Sequence, residues 1–189
     1  MIWALKDNER IKANPNQKAL CPTCREEVIA KCGNINIWHW SHKADTDCDS
    51  WGEGETGWHI GWKNEFPKEM QEVVVGEHRA DIKLPSGKVI ELQNSSISSE
   101  DIQKRENYYA NMIWLINGYE LWQGFEIRPK EDNLITFRWK YPAKSWWVSK
   151  RPIYLDLGNQ IILIRKIYPS LPCGGWGVSM SREDFIKQL

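Results

Sequence analysis

Two short segments near residue 85 alternate apolar and polar side chains with a period of two, which indicates a β-hairpin with one buried face. The arms are residues 80–84 and 88–93, and Pro85-Ser86-Gly87 forms the loop between them. Pairing outward from this loop places Asp81 directly opposite Glu91 on the polar face. This hairpin requires a sheet, and the rest of the chain has to supply the layer that covers its apolar face.

Two facing carboxylates are the chemically informative part of the hairpin. Opposed side chains lie about 5 Å apart, and like charges at that separation destabilise a sheet. Asp81 and Glu91 therefore favour a bound cation, and a hard divalent ion held by carboxylates is typical of phosphoester chemistry. Two alternatives stay open. One is a solvated face with two ordinary acids, and the other is a one-residue register slip that separates them.

Composition limits the class of protein. The 189 residues suffice for one domain, or one domain with a small appendage, and 25 Lys and Arg balance 25 Asp and Glu. Nucleic-acid binding would therefore depend on local patches. No stretch approaches the ~18 apolar residues of a membrane span, and residues 1–6 lack the apolar core of an export signal. The sequence predicts a cytoplasmic protein without a membrane partner.

The first 50 residues contain a candidate metal site. Cys21 and Cys24 form a Cys-x2-Cys pair, and His39 and His42 form a His-x2-His pair. Two sulfurs and two imidazoles satisfy four-coordinate structural zinc, with Cys48 as an alternative ligand. The competing interpretation is two surface histidines beside buried cysteines.

Glu55, His59 and Lys63 recur every four residues, so on a helix they form one polar stripe. Trp58 and Trp62 form a neighbouring apolar stripe that can pack on a sheet. A solvated Glu–Lys ladder explains the polar stripe equally well if it stands alone.

We expect three stretches: a zinc-binding β element in residues 1–50, a core in 51–118 and a β-rich extension in 119–189 that packs on the core as one domain. The zinc element contains a hairpin of 27–31 and 35–40. The predicted elements of the other two stretches are a helix to about residue 67, strands at 73–84, 88–93 and 112–116, a helix from Ser98 or Ser99, a hairpin of 153–157 and 161–167, and a final helix capped by Ser181.

The extension has a basic and aromatic segment between residues 137 and 154 that contains no acid. Arg138, Lys140, Trp146 and Trp147 are its candidate nucleic-acid contacts, because cations hold phosphates and aromatic faces stack on unpaired bases. An amphipathic strand with its aromatic residues inward accounts for half of the pattern.

Taken in order, these motifs resemble the CoiA-like competence proteins, which belong to the PD-(D/E)xK nuclease superfamily and carry an N-terminal zinc-binding element. The resemblance extends from about residue 20 to 116. The matching residues are Cys21, Cys24, His39, His42, Glu55, His59, Lys63, Asp81, Glu91, Gln93, Ser95, Arg105, Tyr109 and Trp114.

The resemblance implies a mixed α/β (α+β) fold with a restriction-endonuclease-like αβββαβ core. It also implies a Mg²⁺- or Mn²⁺-dependent deoxyribonuclease that acts in DNA processing or recombination. Asp81 and Glu91, joined by Glu55, would bind the catalytic ion. Gln93 stands where the superfamily usually has Lys and would position the attacking water, while Lys63 or Lys83 would supply the missing charge. A rival register pairs Asp81-Ile82-Lys83 with Glu72 or Glu77, but it leaves Glu91 and Gln93 without a role.

Other matching residues are candidates for the substrate. Lys63 and Arg105 are expected at the scissile phosphate, and Tyr109 is expected in packing or phosphate contact. His59 belongs to the same catalytic set. The substrate stays open between single-stranded, double-stranded and branched DNA and RNA. Because Gln93 carries no charge, the alternative is a non-catalytic nucleic-acid-binding or partner-binding protein built on a nuclease shell.

Overall fold

The computed structural model describes residues 1–35, 37–43, 48–49, 51–52, 54–121, 124–170 and 172–189, and it divides into a first unit, Met1–Lys83, and a second unit, Leu84–Leu189. The element order along the chain is a mixed α+β arrangement dominated by strands, which confirms the predicted fold class. Among the described residues, no helix combines the length and the apolar character needed to cross a membrane.

The first unit begins with an antiparallel sheet of short strands in the order β2-β1-β3-β4-β5. These strands are β1 (Trp3–Lys6), β2 (Glu9–Lys12), β3 (Lys18–Leu20), β4 (Glu27–Lys31) and β5 (His39–His42). Its buried cluster, as far as the structure describes it, consists of Trp40 and small side chains such as Ala4, Ala19 and Val28, and Trp3 on β1 is buried as well. The predicted β4–β5 hairpin forms, but its second arm starts at His39, and Asn36 lies outside the described residues.

The first unit continues with helix α1 (Gly57–Lys63), a 3-10 turn (Lys68–Met70) and strands β6 (Gln71–Val75) and β7 (His78–Lys83). Residues 73–84, which we expected as one strand, therefore form most of a two-stranded antiparallel hairpin. Gly76, with φ of 59°, provides the turn, because this backbone conformation favours glycine.

The second unit is built on a mixed sheet in the order β10-β11-β14-β13-β12-β9-β8. Its strands are β8 (Val89–Gln93), β9 (Met112–Asn117), β10 (Phe125–Pro129), β11 (Leu134–Trp139), β12 (Ile153–Asp156), β13 (Ile161–Tyr168) and β14 (Gly174–Met180). β9 runs parallel to both β8 and β12, and all three are buried along their whole length, as parallel strands covered on two faces require.

Helices α2 (Ser99–Tyr109), α3 (Gly118–Leu121) and α4 (Arg182–Lys187) complete the second unit, together with a 3-10 helix (Lys144–Val148). Ser98 and Ser181 cap α2 and α4 as predicted, each accepting a hydrogen bond from a backbone N–H three residues on. The predicted loop Pro85-Ser86-Gly87 is also present, closed by a 2.9 Å bond from the Leu84 N–H to the Lys88 carbonyl.

Candidate metal centre and candidate active site

Four side chains of the first unit converge as a candidate metal site: Cys21, Cys24, His42 and Cys48, whose ligand atoms all lie within 4.8 Å of one another. The Sγ atoms of Cys21 and Cys48 are 3.8 Å apart. Tetrahedral zinc with Zn–S bonds of about 2.3 Å separates two sulfurs by about 3.8 Å. The donor set and its spacing therefore fit a closed structural zinc site of the Cys3His type.

Cys48 takes the place that the sequence had suggested for His39, and this corrects the predicted ligand set. His39 and His42 lie three residues apart on β5, so their side chains point to opposite faces of the strand. His42 shares the inner face with Trp40, and its Nε2 lies 3.2 Å from Cys24 Sγ. His39 faces away, with Nδ1 2.8 Å from the Ile37 carbonyl.

The protonation states of Cys21 and His42 favour metal binding, whereas that of Cys48 opposes it. Burial opposes ionisation of Cys21, but N–H groups from Cys24 and Thr23, the latter 3.4 Å from Sγ, bring its pKa below the usual value. Burial lowers the pKa of His42, which keeps the imidazole neutral. Burial raises the pKa of Cys48 to about 12, so zinc binding must displace its proton.

A second cluster in the first unit surrounds the Lys63 ammonium group. Lys63 Nζ lies 2.9 Å from Glu55, 3.0 Å from Glu72 and 3.1 Å from Asp81. The side chains of Lys63 and Glu72 are each 1% exposed, whereas that of Asp81 is 23% exposed. The structure thus gathers three predicted catalytic residues and adds Glu72, an acid of the rival register that the sequence analysis set aside.

Glu72 is held in an unusual position. It lies between the pairs Gln71↔Ile82 and Val73↔Ala80, and therefore opposite Asp81 across the β6–β7 hairpin. Its φ of 46° is in the left-handed region, and non-glycine residues held there cluster at functional sites. The backbone N–H groups of Ile2 and Trp3 also donate to its carboxylate, at 2.9–3.0 Å.

The cluster contains three carboxylates and one ammonium group, and this excess of acids shifts the pKa values of its members. Burial raises the pKa of Glu55 to about 7, and the nearby Glu72 adds to this effect. Burial acts in the same direction on Glu72, but Lys63 and Arg79 bring its pKa well below the usual range. Burial opposes the charge of Lys63, yet its carboxylate partners raise its pKa overall.

The raised pKa of Glu55 predicts how the stability of the protein depends on pH. Because the pKa of Glu55 is raised, its contribution to stability is fully present below its ordinary value of 4.5 and is lost as pH rises through about 7. Glu55→Gln should therefore gain stability relative to wild type between about pH 5 and about pH 8. Urea denaturation without added divalent ions measures the difference. Exposed Glu9→Gln is the control, and a constant Glu55→Gln difference across this range would contradict the prediction.

Arg79 is a site residue that the sequence analysis missed. A cavity of about 520 Å³ within the first unit is lined by Glu55, Arg79, His42 and Cys48. Burial opposes the charge of Arg79, but Glu72, Asp49 and Asp81 raise its pKa, so it stays cationic. Its position after the Gly76 turn could have drawn attention to it.

His59 has a structural contact at the start of α1. Its side chain is 3% exposed, and its Nδ1 lies 2.9 Å from Thr56 Oγ1 and 3.4 Å from the Thr56 N–H. Together with the bond from the His59 N–H back to Thr56, this forms a reciprocal cap. The cap fixes the turn after Glu55, and the catalytic role of His59 stays a prediction.

The second unit holds the remaining predicted catalytic residues. Glu91 on β8 is 3% exposed and accepts a 3.0 Å hydrogen bond from Arg105 Nη1 on α2. Gln93 is fully buried, and its Nε2 donates to the Ser95 carbonyl at 3.1 Å. Tyr109 is buried at the end of α2. The pairing of Asp81 with Glu91 remains a prediction.

Both candidate phosphate-binding cations are already engaged by carboxylates. Lys63 is enclosed by three acids, and Arg105 is paired with Glu91. A buried cation in such a pair neutralises its acids first and is poorly placed to receive a phosphate. The ion pairs place Lys63 between Glu55, Glu72 and Asp81, and its role at the scissile phosphate, like that of Arg105, stays a prediction.

The basic and aromatic segment separates into buried and exposed side chains. Trp146 is 2% exposed and packs edge-on against Trp114, with ring centroids 5.1 Å apart, so it is a core residue and not a stacking platform. Trp147 is 37% exposed. Arg138 and Lys140 are exposed at the end of β11. Of the two tryptophans predicted to stack on bases, only Trp147 is therefore accessible to a nucleic acid.

Two family models match the chain. The model described as "Competence protein CoiA, N-terminal domain" matches residues 3–50, and the one described as "Competence protein CoiA, nuclease-like domain" matches residues 71–170. No curated protein and no solved structure matches it significantly. The metal centre lies in the first match, and Glu72, Asp81, Glu91 and Gln93 lie in the second. The chain therefore belongs to the CoiA family of competence proteins and carries a nuclease-like domain.

Proposed function

We propose that this protein is a Mg²⁺- or Mn²⁺-dependent nuclease that hydrolyses DNA phosphodiester bonds during DNA processing or recombination. The observation that carries the proposal is the carboxylate cluster of Glu55, Glu72 and Asp81 around Lys63. Three acids in a buried site destabilise a fold, so the cluster calls for a function. The nuclease-like family match supports phosphodiester chemistry as that function.

The carboxylates suit a hard divalent ion. Mg²⁺ accepts oxygen ligands and is commonly held by one or two carboxylates together with substrate phosphates. Asp81 is the most accessible of the three acids, and Glu55 lines the 520 Å³ cavity. These two side chains, with Glu91 as the sequence hairpin predicts, would hold the ion. When bound, the ion supplies an activated water and neutralises charge that develops on the phosphate.

Other residues have supporting roles. Arg79 lines the same cavity as Glu55, is cationic, and can attract the DNA backbone. Lys63 fixes the spacing of the acids before the ion arrives. Gln93 offers an amide that can orient water but has no charge to stabilise the transition state.

The test is a cleavage assay of the zinc-loaded protein on single-stranded, duplex and branched DNA and on RNA, with and without Mg²⁺ or Mn²⁺. Asp81→Asn should reduce cleavage by at least about 100-fold because the ion is lost or misplaced. Folding should be kept, since Lys63 retains two other carboxylate partners. Asp132→Asn is the matched control, because Asp132 is an exposed turn residue with φ of 53°, which Asn tolerates.

Wild-type protein that leaves every substrate intact with both ions would overturn the proposal. The alternative is a non-catalytic nucleic-acid-binding protein, and one observation favours it: Asp81 and Glu91 each have a cation of their own, Lys63 and Arg105. That alternative predicts DNA binding that is indifferent to Mg²⁺. The nuclease proposal instead predicts that Gln93→Lys preserves or raises the cleavage rate.

A further inference from the structure

A cavity of about 380 Å³ in the second unit has a strongly basic wall. Its charged lining residues are Lys150, Arg151, Arg165 and Lys166, and no acid lies among the described residues that line it. The whole chain has no net charge, so this concentration of cations is local. Such a wall raises the local concentration of anions and selects against cationic partners.

The strand β13 is shaped to present two of these cations together. Its pairing with β14 shifts between Ile164 and Lys166, which leaves Arg165 as an extra residue in a β-bulge. In a regular strand, Arg165 and Lys166 would point to opposite faces. A bulge re-aims a side chain, and here both residues line the cavity.

A second part of the cavity lining, the rim formed by Trp147, Ser149 and Lys150, is anchored by a buried acid. Glu106, which is 4% exposed, accepts hydrogen bonds from Ser149 Oγ at 2.5 Å, from the Lys150 N–H at 2.9 Å and from Trp114 Nε1 at 3.0 Å. These bonds fix the backbone of the rim beside Trp147. A pre-ordered rim loses little conformational freedom when a ligand binds.

The rim combines an aromatic face with hydrogen-bond donors. Trp147 is partly exposed, whereas its neighbour Trp146 is anchored in the core, so the indole of Trp147 is presented from a fixed 3-10 helix. The buried Nε–H of Arg151 has no acceptor among the described residues. An anion at the wall would supply one.

We infer that this cavity binds single-stranded DNA, with Lys150, Arg165 and Lys166 on phosphates and Trp147 stacked on an unpaired base. Phosphates with accessible bases match a wall of cations beside an aromatic face, and duplex DNA offers no free base to stack. The cavity volume lies at the lower end of the range of about 300–1,000 Å³ for ligand sites, which suits a single nucleotide unit. The choice of DNA over RNA rests on the proposed function.

Binding is tested without Mg²⁺ or Mn²⁺, so that the result does not depend on cleavage. Fluorescence anisotropy with a labelled oligothymidylate should show that Trp147→Ala weakens binding about 5- to 150-fold, as the loss of one stacked base predicts. Lys166→Gln should reduce the slope of log affinity against log salt by about 0.7, the value for one lost phosphate contact on a single strand. Thermal melting checks that both variants are folded.

The control is Lys187→Gln, because Lys187 is 72% exposed on α4 and lies outside the cavity. Unchanged affinity in folded Trp147→Ala and Lys166→Gln would overturn the inference, even if the wild type cuts DNA. An equal effect on duplex binding would overturn the stacking contact, and tighter binding of oligouridylate would overturn the choice of DNA. Single-strand binding that these variants weaken would support the inference, even if no DNA is cut.

Discussion

Lys63→Met should lower the free energy of unfolding by about 3–5 kcal/mol, because it leaves buried carboxylates without their central cation. Lys63 is 1% exposed and contacts Glu55, Glu72 and Asp81 at 2.9–3.1 Å. Methionine fills similar volume, so the loss comes mainly from charge. Urea denaturation and hydrogen exchange of the β6 and β7 amides measure the effect, the latter because the two units need not unfold together.

Two further variants test whether the instability of Lys63→Met comes from charge. Protons can replace the missing cation, so the deficit of Lys63→Met should shrink as pH falls toward about 5. The double variant Lys63→Met/Glu72→Gln should recover part of the lost stability, and it keeps the test usable if the single variant does not fold. Exposed Lys31→Met is the control. If Lys63→Met is as stable as wild type at about pH 8, the buried acids do not depend on Lys63 for their stability.

The sequence was sufficient where a signal is local. The caps Ser98 and Ser181 and the loop Pro85-Ser86-Gly87 all depend on residues within a few positions of one another. Such turns and caps follow from side-chain hydrogen bonds and from backbone preferences that neighbours in sequence decide. These elements were predicted correctly for that reason.

Glu72 shows where local reasoning failed. Its proximity to Asp81 exists only because residues 71–83 fold back on themselves, and our interpretation joined most of this stretch into one strand. Gly76 was the available signal for the turn. Trp146 and Trp147 differ for a non-local reason, since only contact with Trp114 makes one of them core. Nothing in the neighbouring sequence distinguishes the two indoles.

The candidate metal ligands depend partly on a local sequence signal and partly on the fold. Cys21 and Cys24 are close in sequence and were identified from their spacing. The choice between His39 and Cys48 required the side-chain alternation of β5, which the His-x2-His spacing conceals. Two residues three positions apart on a strand face opposite ways, so a strand at this position allows only one of the two histidines to join the cysteines.

Cys48→Ser should remove zinc from the chain and unfold the β1–β5 sheet. Structural zinc contributes about 10–16 kcal/mol of apparent binding free energy in small metal-dependent folds. The buried cluster beside the site offers little other stabilisation, since its members other than Trp40 are small. A serine hydroxyl is a poor replacement for a thiolate at zinc. Metal analysis after dialysis should show one zinc per wild-type chain and a large loss in the variant, with loss of exchange protection in β1–β5.

His39→Gln is the matched control for this prediction. His39 belongs to the same strand as His42 but faces away from the cluster, so its replacement should leave zinc and exchange protection unchanged. The strand geometry thus separates the two histidines, which look equivalent in the sequence, into one candidate ligand, His42, and one residue outside the cluster, His39. The Cys3His assignment fails if Cys48→Ser keeps stoichiometric zinc while His39→Gln loses it, because the ion would then bind on the outer face of β5.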